Sequence, residues 1–284
     1  MVAGTAYCLT KFKNMEAGMK KFMKMFMYCG ISTTFWGFMF GSFFGDAVNV
    51  IATTFFNRPD IRLAPLWFEP VSLPMKLLVF AFGLGILHLF IGLGIKFYSC
   101  VKNGSLADGI YDAIFWYMLV GGGIVYLLTM PMFTEMLGLT FTLPAVAGTV
   151  AAYAAAIGFV GIVLTSGRES KNWVKRILKG LYGAYGVSSY LSDILSYSRL
   201  LALGLATSVI STVFNKMGSM MGGSIPGAII FILVFLIGHS LNLAINALGA
   251  YVHTNRLQYV EFFGKFYEGG GRKFEPFAVH TKYY

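Results

Sequence analysis

Long uncharged windows constrain the fold of this chain more than any other feature of its sequence. Several of them run for about 20 residues or more, a length that crosses roughly 30 Å of hydrocarbon as an α-helix. Lipid cannot hydrogen-bond an exposed backbone, so these windows predict spanning helices. The segment 148–164 is apolar or small on every face, unlike the alternating strands of a membrane barrel. With 57% hydrophobic and 12% charged residues, the chain is predicted to be an all-α polytopic membrane protein.

Six full membrane helices are predicted, preceded by the end of another helix. The last two are unusually long, and the final one would extend about 57 Å if straight, so we expect tilt or bending. The predicted spans are 28–56, 73–99, 110–131, 141–165, 185–217 and 225–262. The predicted segments are a helix end with a basic stretch (1–27), a four-span region (28–179), two long helices (180–262) and a tail (263–284).

Lysine and arginine set the predicted orientation. Sixteen of the 22 basic residues fall on one side of the predicted membrane, and Arg58, Arg62, Lys76 and Lys216 fall on the other. Basic loops stay in the cytoplasm, so the leading segment and the C-terminus are predicted to be cytoplasmic. This distribution explains most of the net charge of +10 without nucleic acid, and leaves contact with anionic lipid or an acidic partner open. The sixteen are Lys11, Lys13, Lys20, Lys21, Lys24, Lys96, Lys102, Arg168, Lys171, Lys175, Arg176, Lys179, Lys265, Arg272, Lys273 and Lys282.

Arg199 is one of two basic residues left inside the predicted spans, at about 18 to 20 Å of helical rise. Burying it near mid-membrane costs at least a few kcal/mol, and a guanidinium cannot escape by losing its proton. Asp193 is separated from it by about 240° of helical rotation, so it is better placed to cap the helix or to meet a neighbour. Ser192 and Ser196 share the face of Arg199. A purely structural arginine, satisfied by another carboxylate or by backbone carbonyls, remains the alternative.

The last predicted span has one polar face that ends at Arg256, the other remaining arginine. Its polar residues fall within an arc of about 100°. A stripe along the helix favours a water-accessible path, whereas hydrogen bonding between helices is the simpler alternative. Asp46, near the outer end of the first full span, could line a path, although such a residue more often caps a helix or faces the lipid headgroups. The residues on the polar face are His239, Asn242, Asn246, Gly249 and His253.

Catalytic and cofactor signatures are absent from the sequence. It contains no phosphate loop, no nucleophile with its base and no metal-ligand cluster. Cys8, Cys29 and Cys100 are odd in number and widely spaced, so they predict no disulfide framework. We therefore expect no cofactor and no nucleotide hydrolysis on this chain itself.

Several segments resemble one family, the membrane stator subunit of V/A-type rotary ATPases, called subunit I in bacteria and archaea and subunit a in eukaryotes. The clearest is 186–207, with sequence GVSSYLSDILSYSRLLALGLAT. The others are 237–239, 242–271, 274–277, 37–46 and 83–96. Family members have a large cytoplasmic N-terminal region and eight spans, so the resemblance implies that this sequence is a C-terminal fragment beginning near the end of the second span.

The resemblance also implies roles for the two arginines. Arg199 corresponds to the essential arginine that faces the rotor ring, and Arg256 to the second arginine on the neighbouring helix. Eukaryotic relatives have an acidic residue ten positions before that second arginine, where this chain has Asn246. A polar, hydrated path is therefore an alternative to a titratable relay.

The implied function is that of a non-catalytic stator subunit that moves H⁺ or Na⁺ through two half-channels. His239, Asn242 and Asn246 are assigned to the outward path, and Ser192, Ser196 and His253 to the cytoplasmic one. The expected partners are the rotor ring, the peripheral stalk, the soluble ATPase head and lipid, in a bacterial or archaeal plasma membrane. A stand-alone secondary transporter with an arginine-lined site is the main alternative. A structural assembly factor would leave the polar stripe and both arginines unexplained.

Overall fold

The computed structural model describes residues 2–11, 16–58, 60–61, 64–139, 143–168, 172–267, 269–271 and 274, and every regular element in these ranges is a helix. The all-α membrane fold predicted from the sequence is therefore confirmed. The helices are α1 (Val2–Lys11), α2 (Ala17–Phe40), α3 (Ala47–Phe55), α4 (Pro74–Lys102), α5 (Leu106–Thr129), α6 (Pro131–Met136), α7 (Ala145–Thr165), α8 (Trp173–Tyr185), α9 (Val187–Ser196), α10 (Ser198–Ser219) and α11 (Ile225–Arg256).

Five helical segments in the described part of the chain are long and apolar enough to cross a membrane. Each overlaps one of the last five predicted spans. The 47-residue segment Trp173–Ser219 comprises α8, α9 and α10, and the 41-residue segment Ile225–Lys265 continues α11. Both exceed the length that a perpendicular crossing needs, so the predicted unusual length of the last two elements is confirmed. The other three are α4, α5 and α7.

The first predicted span, 28–56, is not one continuous helix. Helix α2 ends at Phe40, and Gly41 caps it in the left-handed conformation with φ of 64°. Phe44 and Gly45 also have positive φ, and α3 starts only at Ala47. A β-carbon on Gly41 would lie 2.7 Å from the Cα of Pro65, so this tight turn requires glycine. The structure therefore replaces the predicted span with two helices and a turn.

Two interruptions divide the long segment that contains Arg199 into three helices. Gly186 separates α8 from α9, and Tyr197 separates α9 from α10. At Tyr197 the backbone makes a tighter turn, in which the Leu200 amide donates to the Tyr197 carbonyl. Arg199 therefore lies in the first turn after an interruption rather than in the middle of a regular helix.

The chain divides into two compact units. The first unit comprises Met1–Leu84, Glu135–Thr140 and Leu195–Thr254, and the second comprises Gly85–Thr134, Phe141–Ile194 and Asn255–Tyr284. The predicted tail, 263–284, lies mostly outside the described residues, as do Arg62 and several residues used to predict orientation. These are Lys13, Lys171, Arg272, Lys273 and Lys282.

Close backbone contacts build the core of the second unit. A β-carbon on Gly158 of α7 would lie 2.7 Å from the backbone nitrogen of Leu119 on α5. A β-carbon on Gly180 of α8 would overlap the Val163 carbonyl oxygen of α7. Small residues permit this approach, as they do generally between membrane helices.

Candidate functional site

Polar side chains join α10 and α11 at three successive levels within the first unit. Asn215 meets His239 at 2.9 Å, Ser211 meets Asn242 at 2.8 Å, and Thr207 meets Asn246 at 2.6 Å. The α10 residues recur every four positions and the α11 residues every three or four, so each set stays on one helix face. We call these six residues the polar line.

The hydrogen-bond directions at the first level follow from the groups around Asn215, which is fully buried. Its Nδ2 faces two oxygens, the Phe44 carbonyl at 2.8 Å and Asp46 Oδ1 at 2.9 Å. The amide nitrogen is therefore fixed on that side, and Oδ1 faces His239. Because Asn215 Oδ1 only accepts, His239 Nε2 is the donor.

Two aromatic rings lie against His239. The Phe235 ring centroid lies 4.2 Å from that of the imidazole, and the Phe44 centroid lies 5.0 Å from it. Both His239 and Asn242 are buried. This part of the predicted polar stripe therefore faces the interior of the unit, where its polar groups are hydrogen-bonded.

The other two levels are connected to each other. Asn242 Nδ2 donates to Ser211 Oγ and to the Thr207 carbonyl, and Asn246 Nδ2 donates to the Asn242 side-chain oxygen. The single Thr207 hydroxyl proton has two acceptors within reach, Asn246 Oδ1 at 2.6 Å and the Leu203 carbonyl at 2.8 Å. That choice of acceptor lets the hydroxyl reorient without moving either helix.

Arg199 and His253 lie one step beyond the last contact of this series. Leu203 and Gly249 continue it, since a β-carbon on Gly249 would lie 3.2 Å from Leu203 Cδ1. A further step of four residues reaches Arg199 on α10 and His253 on α11, both in the first unit. Arg199 is half-buried, with its Nη1 atom shielded from solvent, and His253 is also half-buried. The spacing thus directs the polar line towards the arginine.

Ser192 and Ser196 lie on α9, where Ser192 is exposed and Ser196 half-buried. The shared face predicted for these serines and Arg199 assumed an unbroken α-helix. The interruption at Tyr197 falls between Ser196 and Arg199, so a straight helical projection does not apply there. Their place on a cytoplasmic path stays a prediction.

Arg256 is largely exposed, and its partner in the second unit is an acidic residue of the same segment. The side chain is 63% exposed, and its Nε lies 3.9 Å from Oε1 of Glu261, which is 2% exposed. Residues five apart in an α-helix are rotated by about 140°. The segment Leu257–Phe262 has wide i→i+5 turns, which bring Glu261 closer to the side of Arg256.

A second set of charges links α9 to the end of the last segment, within the second unit. Lys265 Nζ forms an ion pair with Asp193 Oδ2 and lies 3.9 Å from the ring centroid of Tyr190. The Trp116 ring stacks with the Tyr190 ring, and their centroids lie 4.6 Å apart. Asp193 therefore meets a neighbour, as one of the two sequence interpretations proposed.

Sequence reasoning missed the α10 half of the polar line and the partners of Arg256 and Asp193. Thr207, Ser211 and Asn215 recur every four residues, and this spacing was a usable signal. Glu261 gave no such signal, because a regular helical projection places it away from Arg256. Lys265 lies far from Asp193 in sequence, so only the tertiary fold brings them together.

The fold and this site define an integral membrane protein with a hydrogen-bonded polar line inside its last two membrane helices. Comparison with known proteins makes the assignment more specific. Residues 187–279, which include the polar line and both arginines, match the V-type ATPase 116kDa subunit family. The chain belongs to this family.

Several curated relatives are named A-type ATP synthase subunit I. The chain is similar to that of Methanocaldococcus jannaschii, with 32% identity over 96% of this chain and 40% of the relative. It is similar to those of Thermococcus kodakarensis and Pyrococcus horikoshii, with 33% and 34% identity, each over 93% of this chain and 37% of the relative. The chain thus spans about two-fifths of the length of these relatives.

Proposed function

We propose that this chain is the membrane stator part of a V/A-type rotary ATPase, where it forms two half-channels for H⁺ or Na⁺ against a rotor ring. The observation that carries the proposal is the polar line, which follows two helices of membrane-spanning length towards Arg199. Similarity to ATP synthase subunit I proteins supports it. The chain itself is non-catalytic in this proposal.

The chemistry centres on Arg199. Each ring subunit presents a membrane carboxylate, which is neutralised by its ion while it faces lipid. When the carboxylate reaches Arg199, the fixed positive charge favours its ionised form and releases the bound ion. The ion leaves through one aqueous half-channel, and another enters through the second. Arg199 also repels cations that would otherwise leak directly between the two.

The remaining residues line the two routes. His239, Asn242 and Asn246, with their α10 partners, line the outward path. Ser192, Ser196 and His253 are assigned to the cytoplasmic path, and Arg256 is the second arginine, on the neighbouring helix. The neutral side chains of the polar line offer oxygen and nitrogen ligands to a hydrated ion without holding it by formal charge.

Other subunits of the complex supply the rotor carboxylates and the ATPase activity in this proposal. The partners in the proposal are the rotor ring, the peripheral stalk and the soluble ATPase head, together with the lipid of a bacterial or archaeal plasma membrane. The C-terminus lies in the cytoplasm, in agreement with the distribution of lysine and arginine.

Replacement of Arg199 by lysine tests this proposal. Arg199→Lys keeps a positive charge but loses the planar, permanently protonated guanidinium, so we expect ATP-driven ion pumping to fall at least tenfold. The assay uses complete complexes with full-length subunit, reconstituted in vesicles, and the exposed Arg58→Lys is the matched control. Full pumping by Arg199→Lys complexes would refute the proposal.

A stand-alone secondary transporter is the second candidate, since an intramembrane arginine also suits an anionic substrate. Purification separates the two classes. A stator subunit should co-purify with a membrane ring and a soluble ATPase head, whereas a transporter should bind its substrate alone.

A further inference from the structure

Helix α8 differs from the membrane spans because it is apolar on one side and basic on another. Its 13 residues include Lys175, Arg176 and Lys179 and no acidic residue, and it begins at the exposed Trp173. This many charges would be costly in a helix that crosses hydrocarbon, and a continuous exposed apolar side is unfavourable in water. A basic helix with one apolar side and a tryptophan at its end is typical of the membrane interface.

The exposed side chains of α8 form two adjacent faces. At 100° per residue, four apolar side chains fall within an arc of about 60°, and Lys175 and Lys179 occupy the neighbouring arc. All four apolar side chains are at least half exposed, so no other element of the described chain covers this face. The four are Val174, Leu178, Leu181 and Tyr185.

The third face of α8 packs against the end of α7 and sets its depth. A β-carbon on Gly180 would overlap the Val163 carbonyl oxygen, and the Arg176 guanidinium donates to the Leu164 carbonyl at 3.1 and 3.2 Å. Both carbonyls belong to the last turn of α7, a span of 21 residues. Such a helix is about 31 Å long, close to the hydrocarbon thickness, so its last turn lies at the membrane surface. Helix α8 is therefore held at the level of the headgroups.

The two lysines of α8 are available to a ligand outside the chain. Arg176 is engaged with the Leu164 carbonyl, whereas Lys175 and Lys179 are exposed. Neither lysine forms an ion pair in the part of the chain that the structure describes. They lie four residues apart on one face, beside the apolar face, so both charges can reach the same surface. An anionic leaflet offers apolar chains and phosphate oxygens in this arrangement.

We propose that α8 is an interfacial helix that binds anionic lipid. Its exposed apolar face enters the boundary of the acyl chains, and Lys175 and Lys179 contact the headgroup phosphates. The proposal is independent of the proposed function, since it uses no residue of the ion path.

A photoreactive side chain on the apolar face tests what covers α8. p-Benzoylphenylalanine replaces Leu178 in complete complexes with full-length subunit, in vesicles of equal parts phosphatidylglycerol and phosphatidylcholine with identical acyl chains. Mass spectrometry of the crosslinked peptide gives the ratio of the two lipids. One basic side chain near an anionic surface strengthens the attraction about fivefold, so we expect phosphatidylglycerol to exceed phosphatidylcholine by about fivefold or more. The matched control places the same group at exposed Ile157, near the middle of α7, where the two lipids should crosslink about equally.

Charge variants test the role of the lysines. Lys175→Gln with Lys179→Gln removes both charges, so the lipid ratio at Leu178 should fall to within about twofold of one. Lys175→Arg with Lys179→Arg keeps both charges and should keep the ratio. Lys20→Gln with Lys24→Gln removes the same charge from exposed positions of α2 and should leave the ratio unchanged.

Two results would overturn the proposal. Crosslinking of the Leu178 position to another subunit instead of lipid would make this face a protein interface. Equal crosslinking to both lipids in the parent would remove the preference for anionic lipid. If the glutamine variant fails to assemble, salt decides in the parent complex. Raising the ionic strength from about 0.1 M to about 1 M shortens the Debye length from about 10 Å to about 3 Å, so a falling ratio supports the proposal and an unchanged ratio refutes it.

Discussion

The polar line of the first unit and the two ion pairs of the second, Lys265 with Asp193 and Arg256 with Glu261, place polar groups in apolar helices in two different ways. The polar line uses neutral amides, hydroxyls and one imidazole, which satisfy each other across α10 and α11. The two ion pairs use formal charges. Neutral partners exchange easily, whereas breaking the largely buried pair of Lys265 and Asp193 leaves a charge without its partner.

This difference suits two different tasks. In the proposed function, a route for ions needs groups that can change partners without a large cost, and the Thr207 hydroxyl with its two acceptors has that property. An anchor needs the opposite. The Asp193 and Lys265 pair, supported by Tyr190, fixes α9 to the end of the last segment. Breaking contacts in each region should therefore give effects of different size.

The largest effect is expected from breaking the anchor. Lys265→Met removes the cation and leaves the largely buried Asp193 carboxylate without its charge partner, which should lower the free energy of unfolding by about 3 kcal/mol, the low end of the cost for a fully buried pair. Reversible unfolding of the full-length subunit in mixed micelles measures this. Exposed Lys179→Met is the control, and it should change stability by less than about 0.5 kcal/mol.

Removing both charges gives a stricter test of the anchor. Asp193→Leu combined with Lys265→Met eliminates the unpaired charge, so the pair should regain most of the lost stability. If the single variant is as stable as Lys179→Met, the ion pair is not an anchor.

An intermediate effect is expected at the centre of the polar line. Asn215→Leu keeps a similar volume but leaves His239, Asp46 and the Phe44 carbonyl without their partner. The cost should be about 1–3 kcal/mol of unfolding free energy. Ser240→Ala on the exposed face of α11 is the control. Equal stability of the two variants would contradict a structural role for Asn215.

The smallest effect is expected where neutral side chains meet. A double-mutant cycle of Thr207→Val and Asn246→Ala isolates the contact between them. Polar pairs between membrane helices average about 0.6 kcal/mol in such cycles, and we expect a coupling energy of that order. A coupling energy above about 2 kcal/mol would remove the proposed distinction between an exchangeable line and a fixed anchor.

Much of the fold was accessible from the sequence because hydrocarbon thickness and backbone hydrogen bonding leave few solutions. Windows of apolar residues located the last five spans. The first predicted span is two helices rather than one, because tertiary contacts stabilise a turn within it. Hydropathy continues through 28–56, but the turn at Gly41 and Phe44 depends on contacts with Pro65 and Asn215. A one-dimensional pattern contains no information on those partners.

Only about half of the candidate site could be predicted from the sequence. Helical periodicity grouped His239, Asn242 and Asn246 correctly, since α11 is regular over that stretch. It failed beyond Arg256, where the turns widen, and it does not apply across Tyr197, where they tighten. The roles of Ser192, Ser196 and His253 stay predictions, because a burial pattern does not by itself show which side chains an ion passes.

The wide turn at Leu257–Phe262 also behaves as a one-residue insertion in an otherwise regular helix. The wide turn absorbs the rotation of about 100° that one extra residue in a regular α-helix would give to every position after it. Deleting one residue between Leu257 and Val260 should therefore restore a regular α-helix and place the acidic side chain four residues after Arg256, still on the same side, with the hydropathy profile nearly unchanged. The chain can therefore carry one extra residue in this stretch and still keep the negative charge of Glu261 on the side of Arg256.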